Sequence, residues 1–319
     1  KLKNNIISYD FLNLYDKNEE LIIDPVLIFS TYSGSTTDNF GYTATYDRYG
    51  FLYSGSTVFG VGYPTTIGAY QINYANNNVG TDIAITKYDS TGTQRIYSTY
   101  LGGSLDELPH SMIVNNLNEL FIFGTTGSSD YPVTTNCIQS SFNGGNSLSP
   151  SGLGVTFPNG TDLIISRLSS DGGILLSSTY LGGSGNDGLN TAQKLRRNYA
   201  DEVRGEIDID KNNNIYIASC TYSNDFPANS IQKNNNGFQD GCIIKVDNQL
   251  STIFWSTYLG GSNDDAIYSL ALDENNNIFV TGGTNSSDFP VSSGAYQNTY
   301  QDSIRADAFI SHISSDGTS

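Results

Sequence analysis

Apolar and β-branched residues fall in short runs along this chain, separated by breaks rich in Asn, Asp, Gly and Ser. Ala266-Ile-Tyr-Ser-Leu-Ala-Leu272 is followed by the polar break Asp273-Glu-Asn-Asn-Asn277 and then by Ile278-Phe-Val-Thr-Gly282. Two such runs around an Asn-rich turn predict a β-hairpin. The same hairpin is written three more times, at Tyr42–Tyr46 with Phe51–Gly55, Ser111–Val114 with Leu120–Gly124, and Gly205–Asp210 with Ile215–Ser219. After each hairpin comes an aromatic-proline step, at Tyr63-Pro64, Tyr131-Pro132, Phe226-Pro227 and Phe289-Pro290, where proline ends the ladder and begins a loop. A further strand then opens on aspartate at Asp82, Asp162, Asp240 and Asp307.

The remaining strand carries the clearest repeat. Ser-Thr-Tyr and a Gly-rich turn recur at Tyr32, Tyr100, Tyr180 and Tyr258, spaced by 68, 80 and 78 residues, and the last three copies read Thr-Tyr-Leu-Gly-Gly-Ser in full. A period of this length marks a repeat architecture whose units bury their faces only against neighbours. Four short antiparallel strands per unit predict an all-β chain, a β-propeller of four-stranded blades. The repeats run at about 25–96, 97–176, 177–253 and 254–319, after an amino-terminal segment, 1–24, with strand-like runs at Ile6–Phe11 and Leu21–Asp24. That segment is expected to be the end of an upstream β-domain or a connecting arm. The first copy opens with its Ser-Thr-Tyr strand and the fourth stops short of one, the phase of a ring closed by its amino-terminal strand and equally of an array continued by further repeats.

The phrase Phe254-Trp-Ser-Thr-Tyr-Leu-Gly-Gly-Ser262, with Asp264-Asp265, Ser287-Asp288-Phe289-Pro290, Gly294-Ala295-Tyr296-Gln297 and Asp307-Ala308-Phe309, resembles the seven-bladed β-propeller-like repeats of secreted bacterial surface proteins of Bacteroidetes type. The resemblance covers roughly residues 25–319 and implies a scaffold, a larger propeller and export by the type IX route. It brings no catalytic residues. The first copy departs most, with Tyr32-Ser-Gly-Ser35 in place of the Gly-Gly turn.

Composition fits an extracellular β-protein, with 33 glycines, 22 tyrosines, 15% charged residues and a net charge of −17. Such a charge disfavours nucleic acid and anionic membrane as partners, and no run approaches the ~20 apolar residues of a membrane span. Neither Gly-x-Ser-x-Gly, His-Glu-x-x-His nor a phosphate loop is present. His312 holds the strand position filled elsewhere by Lys87, Arg167 and Lys245, and His110 follows Pro109 where a turn is expected. Cys137, Cys220 and Cys242 read as core filling, with Cys220 and Cys242 close enough in one blade to be neighbours. Asp208-Ile-Asp210-Lys-Asn212 has alternating oxygen ligands that suit calcium, the candidate cofactor, and also suits a plain hairpin turn.

Two insertions break the period and are the expected carriers of specificity. Residues 143–160 are rich in Gly, Ser, Asn and Pro and predict a long loop. Residues 189–204 place Leu195, Tyr199 and Val203 at helical spacing and gather Lys194, Arg196, Arg197 and Arg204, predicting a short surface helix that either contacts an acidic surface of a partner or neighbouring domain or is a solvated excursion whose charges offset Asp201, Glu202 and Glu206. The expectation is therefore a non-enzymatic, exported, adhesin-like module whose partner is a surface glycan or protein, with secretion machinery engaged during export. A polysaccharide-active enzyme or its accessory domain, and a cargo or partner subunit of the secretion machinery, are the competing readings.

Overall fold

The computed structural model describes residues 2–3, 6–7, 27–75, 80–197, 199–301 and 304–319. The chain divides into two compact units, Lys1–Ser30 and Thr31–Ser319. In the first, β1 (Leu2–Lys3) pairs antiparallel with β2 (Ile6–Ile7). The rest of the expected run 6–11, and the run 21–24, lie outside the described residues.

In the second unit the predicted hairpins and aspartate strands form. Blade one is β3 (Asn39–Tyr46), β4 (Leu52–Val58), β5 (Asp82–Tyr88) and β6 (Arg95–Leu101). Blade two is β7 (Glu107–Val114), β8 (Leu120–Thr126), β9 (Asp162–Leu168) and β10 (Leu175–Leu181). Blade three is β11 (Glu206–Ile209), β12 (Ile215–Thr221), β13 (Asp240–Val246) and β14 (Ile253–Leu259). Blade four has three described strands, β15 (Asp265–Leu272), β16 (Ile278–Thr284) and β17 (Asp307–Ile313). Every sheet is antiparallel in chain order, and the Ser-Thr-Tyr strand closes the sheet before it. Segment 27–32 is in no strand, in contrast to the strand expected there, and Leu27, Ile28 and Tyr32 are exposed.

Successive sheets meet through their first strands, β3 with β7, β7 with β11 and β11 with β15, so these four line the axis. Two apolar clusters fill the first two seams. Tyr53, Ile83, Ile85, Met112, Ile122 and Tyr180 join blades one and two, and Phe121, Phe123, Ile165, Ile217 and Ile244 join blades two and three. At the third seam the one tryptophan, Trp255 on β14, is buried, donates its indole N–H to Ser315 O (3.2 Å) and lies under Gly317.

Each hairpin turn is capped by one side chain. Asp47 Oδ1 accepts the N–H groups of Tyr49 and Phe51, Asn115 Oδ1 those of Leu117 and Glu119, Asp210 Oδ1 those of Asn212 and Asn214, and Asp273 Oδ1 those of Asn275 and Asn277. The third turn residue takes a left-handed backbone, with φ of 79° at Gly50, 59° at Asn118, 63° at Asn213 and 63° at Asn276. That conformation is cheap only for Gly and Asn, which is why the breaks are Asn-rich. His312, Lys87, Arg167 and Lys245 share a further role, each lying over an aromatic ring of the adjacent strand. Lys87 sits over Tyr53, Arg167 over Phe121 and Lys245 over Tyr216, while the His312 ring stacks on Phe279 at 4.4 Å.

Blade-to-blade crossings run from the outermost strand to the next axial strand through a Gly-Gly turn, and each turn is bound by a buried acid. Gly103 N–H donates to Glu107 Oε2 (2.9 Å), Gly183 to Asp187 Oδ2 (2.9 Å) and Gly261 to Asp265 Oδ2 (2.7 Å). A second buried acid faces each one across the first glycine. A Cβ on Gly102 would come within 2.6 Å of both Asp82 and Glu107, and Gly182 and Gly260 sit in the same way between Asp162 and Asp187 and between Asp240 and Asp265. Burial pushes all six carboxyls up, Asp82 and Asp240 to about 7, Asp162 to about 6 and Asp187 to about 8.

These carboxyls keep protons in the folded chain at pH values where the unfolded chain has released them. The folded state then binds more protons, and stability falls as pH rises, by up to about 1.4 kcal/mol per pH unit for each extra proton. The urea midpoint is expected to be highest below the ordinary aspartate range and to fall steadily as pH rises through 6 to 8. A midpoint that stays level or climbs across that window would contradict the buried-pair account.

Candidate functional site

A cleft of about 670 Å³ opens at the axis and takes residues from all four blades. Three of the axial strands carry a β-bulge at the same place, between Gly41 and Thr43, Pro109 and Ser111, and Ile267 and Ser269. The residues inside those bulges are Tyr42, His110 and Tyr268, and all three line the cleft. A bulge leaves one residue outside the ladder and turns its side chain away from the normal alternation. Pro109 and His110 therefore belong to β7 and not to the turn expected there, since a bulge is one of the few strand positions that tolerates proline.

Both insertions reach this cleft. Segment 143–160 is a folded loop, closed by the bridge between Leu148 and Phe157 and by Thr156 N–H donating to the buried Asp106 Oδ2 at 2.7 Å. Its Leu153, Val155 and Phe157 pack with Leu108, Leu189 and Val203, and with the half-buried Tyr42 and Phe59, into one apolar floor. The two segments that the repeat does not require thus share a core.

The predicted helix over 189–204 does not form; the segment is a packed loop with a single 3-10 turn, Tyr199–Asp201. Its apolar residues point into two different clusters, Leu195 with Ala192, Cys220 and Ala266, and Val203 with Phe157 and Leu108. The buried Asn190 side chain donates to the carbonyls of Leu195 (3.2 Å) and Asp201 (3.1 Å), and Tyr268 Oη donates to Leu195 O (2.6 Å). Side chains thereby take over carbonyls that a helix would engage, and Gln239 Nε2 in turn satisfies Asn190 Oδ1 at 3.0 Å.

Of the five residues expected to bind a partner, Arg204 alone among the described side chains reaches the cleft. It pairs with Asp201 at 3.1 Å and lies over the Tyr268 ring at 5.5 Å. Arg196 is turned to the buried Glu202, Lys194 donates to Asn285 Oδ1 (3.2 Å), and the Arg197 backbone N–H donates to Asp201 Oδ2 (2.8 Å). The Tyr199 side chain is outside the described residues. Phe40, Tyr42, Phe59, His110, Glu206 and Tyr268 line the cleft without having been singled out as binding residues. For three of them the signal is readable by aligning the copies, which puts Tyr42, His110 and Tyr268 in one column, each followed by Ser or Thr.

His110 is buried, with its ring edge against Phe123 at 5.2 Å and Nε2 at 2.9 Å from Thr125 Oγ1. Burial lowers its pKa to about 3, so it is a neutral imidazole. Its Nδ1 has no hydrogen-bond partner, and Gly205 stands beside it, where a Cβ would come within 3.2 Å. Glu206 accepts a hydrogen bond from Ser111 Oγ, and burial raises its carboxyl above the usual range.

The calcium candidates do not converge. Asp210 serves as the turn cap already described, its Oδ2 also accepting Asn214 Nδ2 (2.7 Å), while Asp208 Oδ2 accepts the Leu272 N–H (3.1 Å) across the seam to β15. Asn212 contributes its backbone N–H to Asp210. No cluster of three or more metal-ligating side chains occurs among the described residues. Cys220 and Cys242 are buried free thiols on adjacent strands that face different clusters, and Cys137 is also free.

The family model described as "Beta-propeller repeat" matches residues 255–290. No curated protein matches the chain in sequence. Similar solved structures include a protein of unknown function from Dyadobacter fermentans DSM 18053, at 11% identity and a TM-score of 0.38 over 81% of this chain and 64% of that one. Another is the NanB sialidase from Streptococcus pneumoniae, crystallised with 2-[(3-chlorobenzyl)ammonio]ethanesulfonate, at 9% identity and a TM-score of 0.43 over 82% of this chain and 50% of that one. The chain thus spans less than two thirds of either protein.

Removing the Asp210 cap leaves the backbone N–H groups of Asn212 and Asn214 and the side-chain donors Asn214 Nδ2 and Tyr216 Oη without an acceptor. Asp210→Ala is expected to cost about 1–3 kcal/mol of unfolding free energy. The loss should be equal in calcium and in chelator when measured by urea titration, and a calcium-dependent loss would restore the metal reading.

Proposed function

We propose that this β-propeller is an exported, non-enzymatic binding module, adhesin-like in use, whose axial cleft holds a glycan of a cell surface. The observation that carries the proposal is the convergence on one cleft of the bulged residues of three blades with both insertions. A repeat scaffold needs neither feature to fold. The lining suits a sugar, with Phe40, Phe59, Tyr42 and Tyr268 offering apolar faces beside one guanidinium. Glu206 and Arg204 are held by Ser111 and Asp201, an arrangement of fixed contacts more suited to recognition than to proton transfer. Export, by the type IX route, rests on the polar, Tyr- and Gly-rich composition and on the resemblance to secreted surface repeats. The net charge of −17 makes anionic glycans the poorer ligands.

Immobilised neutral and acidic oligosaccharides give a direct test. The chain is expected to retain a subset of neutral ones, with affinity lowered about tenfold by Phe40→Ala or Arg204→Gln, since one lost contact of ~1.4 kcal/mol is a factor of ten. Both side chains are exposed, so folding should be unaffected. Lys194→Gln with Arg197→Gln should change nothing. Binding that ignores the cleft variants would overturn the cleft as the site, and shortened products appearing in the same incubation would favour the polysaccharide-active enzyme.

A further inference from the structure

The ladders of the four hairpins place equivalent residues side by side around the axis. On the second strands Gly55, Phe123, Ala218 and Thr281 hold one position, each three residues beyond the start of its strand at Leu52, Leu120, Ile215 or Ile278. Their partners on the axial strands are Thr43, Ser111, Glu206 and Ser269. Three blades put a small hydroxyl here, and the third puts a glutamate. The preceding residue departs in the same blade, where Gly205 stands in the place of Tyr42, His110 and Tyr268.

The scaffold accounts for Gly205 and does not account for Glu206. A Cβ on Gly205 would come within 2.8 Å of Phe123 and 3.2 Å of His110 Nδ1, so the ring seated in the neighbouring bulge takes the room a side chain would need. Glu206 meets no such demand, because Ser or Thr completes the same ladder in the other three blades. It is nevertheless fixed in place. Ser111 Oγ, its neighbour around the axis, donates to Oε1, and burial raises the carboxyl above the usual range. Among the described residues no basic side chain forms an ion pair with it. A desolvated acid without a counter-ion, at a position where the fold accepts serine, opposes stability and is explained by what it binds.

Glu206 lines the axial cleft together with Arg204, whose side chain stays 44% exposed while paired with Asp201. We infer that Glu206 is the residue that selects the ligand, accepting a hydrogen bond from one hydroxyl of a neutral hexopyranose while Arg204 donates to a second sugar oxygen and the C–H face of the ring lies on the exposed Phe40. This rests on the reading of the cleft as a glycan site. A hydroxyl donating to a carboxylate makes a charge-assisted bond, stronger than one between neutral groups. A sugar that lacks the hydroxyl leaves the acid desolvated without a donor and is rejected for that reason.

The test titrates the whole chain with the methyl glycosides of glucose, galactose and mannose and with their monodeoxy analogues. At least one parent glycoside is expected to bind, and one of its monodeoxy analogues to bind about ten- to a hundredfold more weakly, as for the loss of a hydrogen bond to a charged group. Glu206→Ser should bind that parent and that analogue equally, and its urea midpoint should not fall, since two other blades carry serine in this column. Should the midpoint fall, Glu206→Gln, which keeps the shape, takes its place and should still narrow the difference between the two sugars. Failure of all three glycosides to bind would overturn the inference, as would a deoxy analogue discriminated equally well by the wild type and both Glu206 variants. If Phe40→Ala abolishes binding in that last case, the cleft stands as a glycan site and only the role of Glu206 falls. Binding indifferent to both Phe40→Ala and Arg204→Gln would remove the glycan reading of the cleft itself.

Discussion

The arrangement depends on how the chain leaves the outermost strand of one blade for the axial side of the next within five residues, at 102–106 and 260–264 to the axial strand itself and at 182–186 to the bridge between Asp187 and Thr221 that precedes β11. Such a crossing must pass close to the sheet it leaves, which puts glycine backbone where any side chain would meet a carboxylate. Glu107, Asp187 and Asp265 then accept the turn N–H groups, which would otherwise be buried without partners. Hydroxyl groups finish the sites, Thr126 on Glu107, Ser223 on Asp187 and Ser286 on Asp265. Acids are used because a carboxylate accepts several donors at once, and the desolvation they suffer returns as retained protons.

With the crossings fixed, both insertions are accommodated at the axial cleft. Blade three shortens its axial strand to Glu206–Ile209 and fills the space with 189–204, while blade two extends 143–160 over the neighbouring strand. Neither insertion disturbs a seam cluster. The cleft is consequently a product of additions laid upon a complete scaffold, and its walls are as buried at their base as the blades themselves.

The strands of the four blades and their turns were legible, the expected strand at 27–32 excepted, because alternation, Asn-rich breaks and aromatic-proline steps are local signals, each with one structural meaning. Three features were not. The helix over 189–204 rested on the spacing of Leu195, Tyr199 and Val203, and spacing says nothing of Asn190 and Tyr268, distant or local side chains that claim the helix's carbonyls. The bulges of β3, β7 and β15 break the alternation by one residue, below what a pattern read along a single copy can resolve. The oxygen-rich run at Asp208 looked like a cation loop because a turn cap and a metal ligand use the same atoms, and only the direction of nearby N–H groups separates them.

Trp255 gives the molecule a natural optical marker. As the sole indole of the chain, seated under Gly317 and bonded to Ser315, it reports the seam between the third and fourth blades and is distant in sequence from the other two. In an array whose units are stabilised by their neighbours, one seam can open while the others stand. Tryptophan emission would then follow separation of the fourth blade from the third, whereas the tyrosine signal, spread over 22 rings, follows the whole array. Divergence between the two during denaturation would measure how cooperatively the blades are joined.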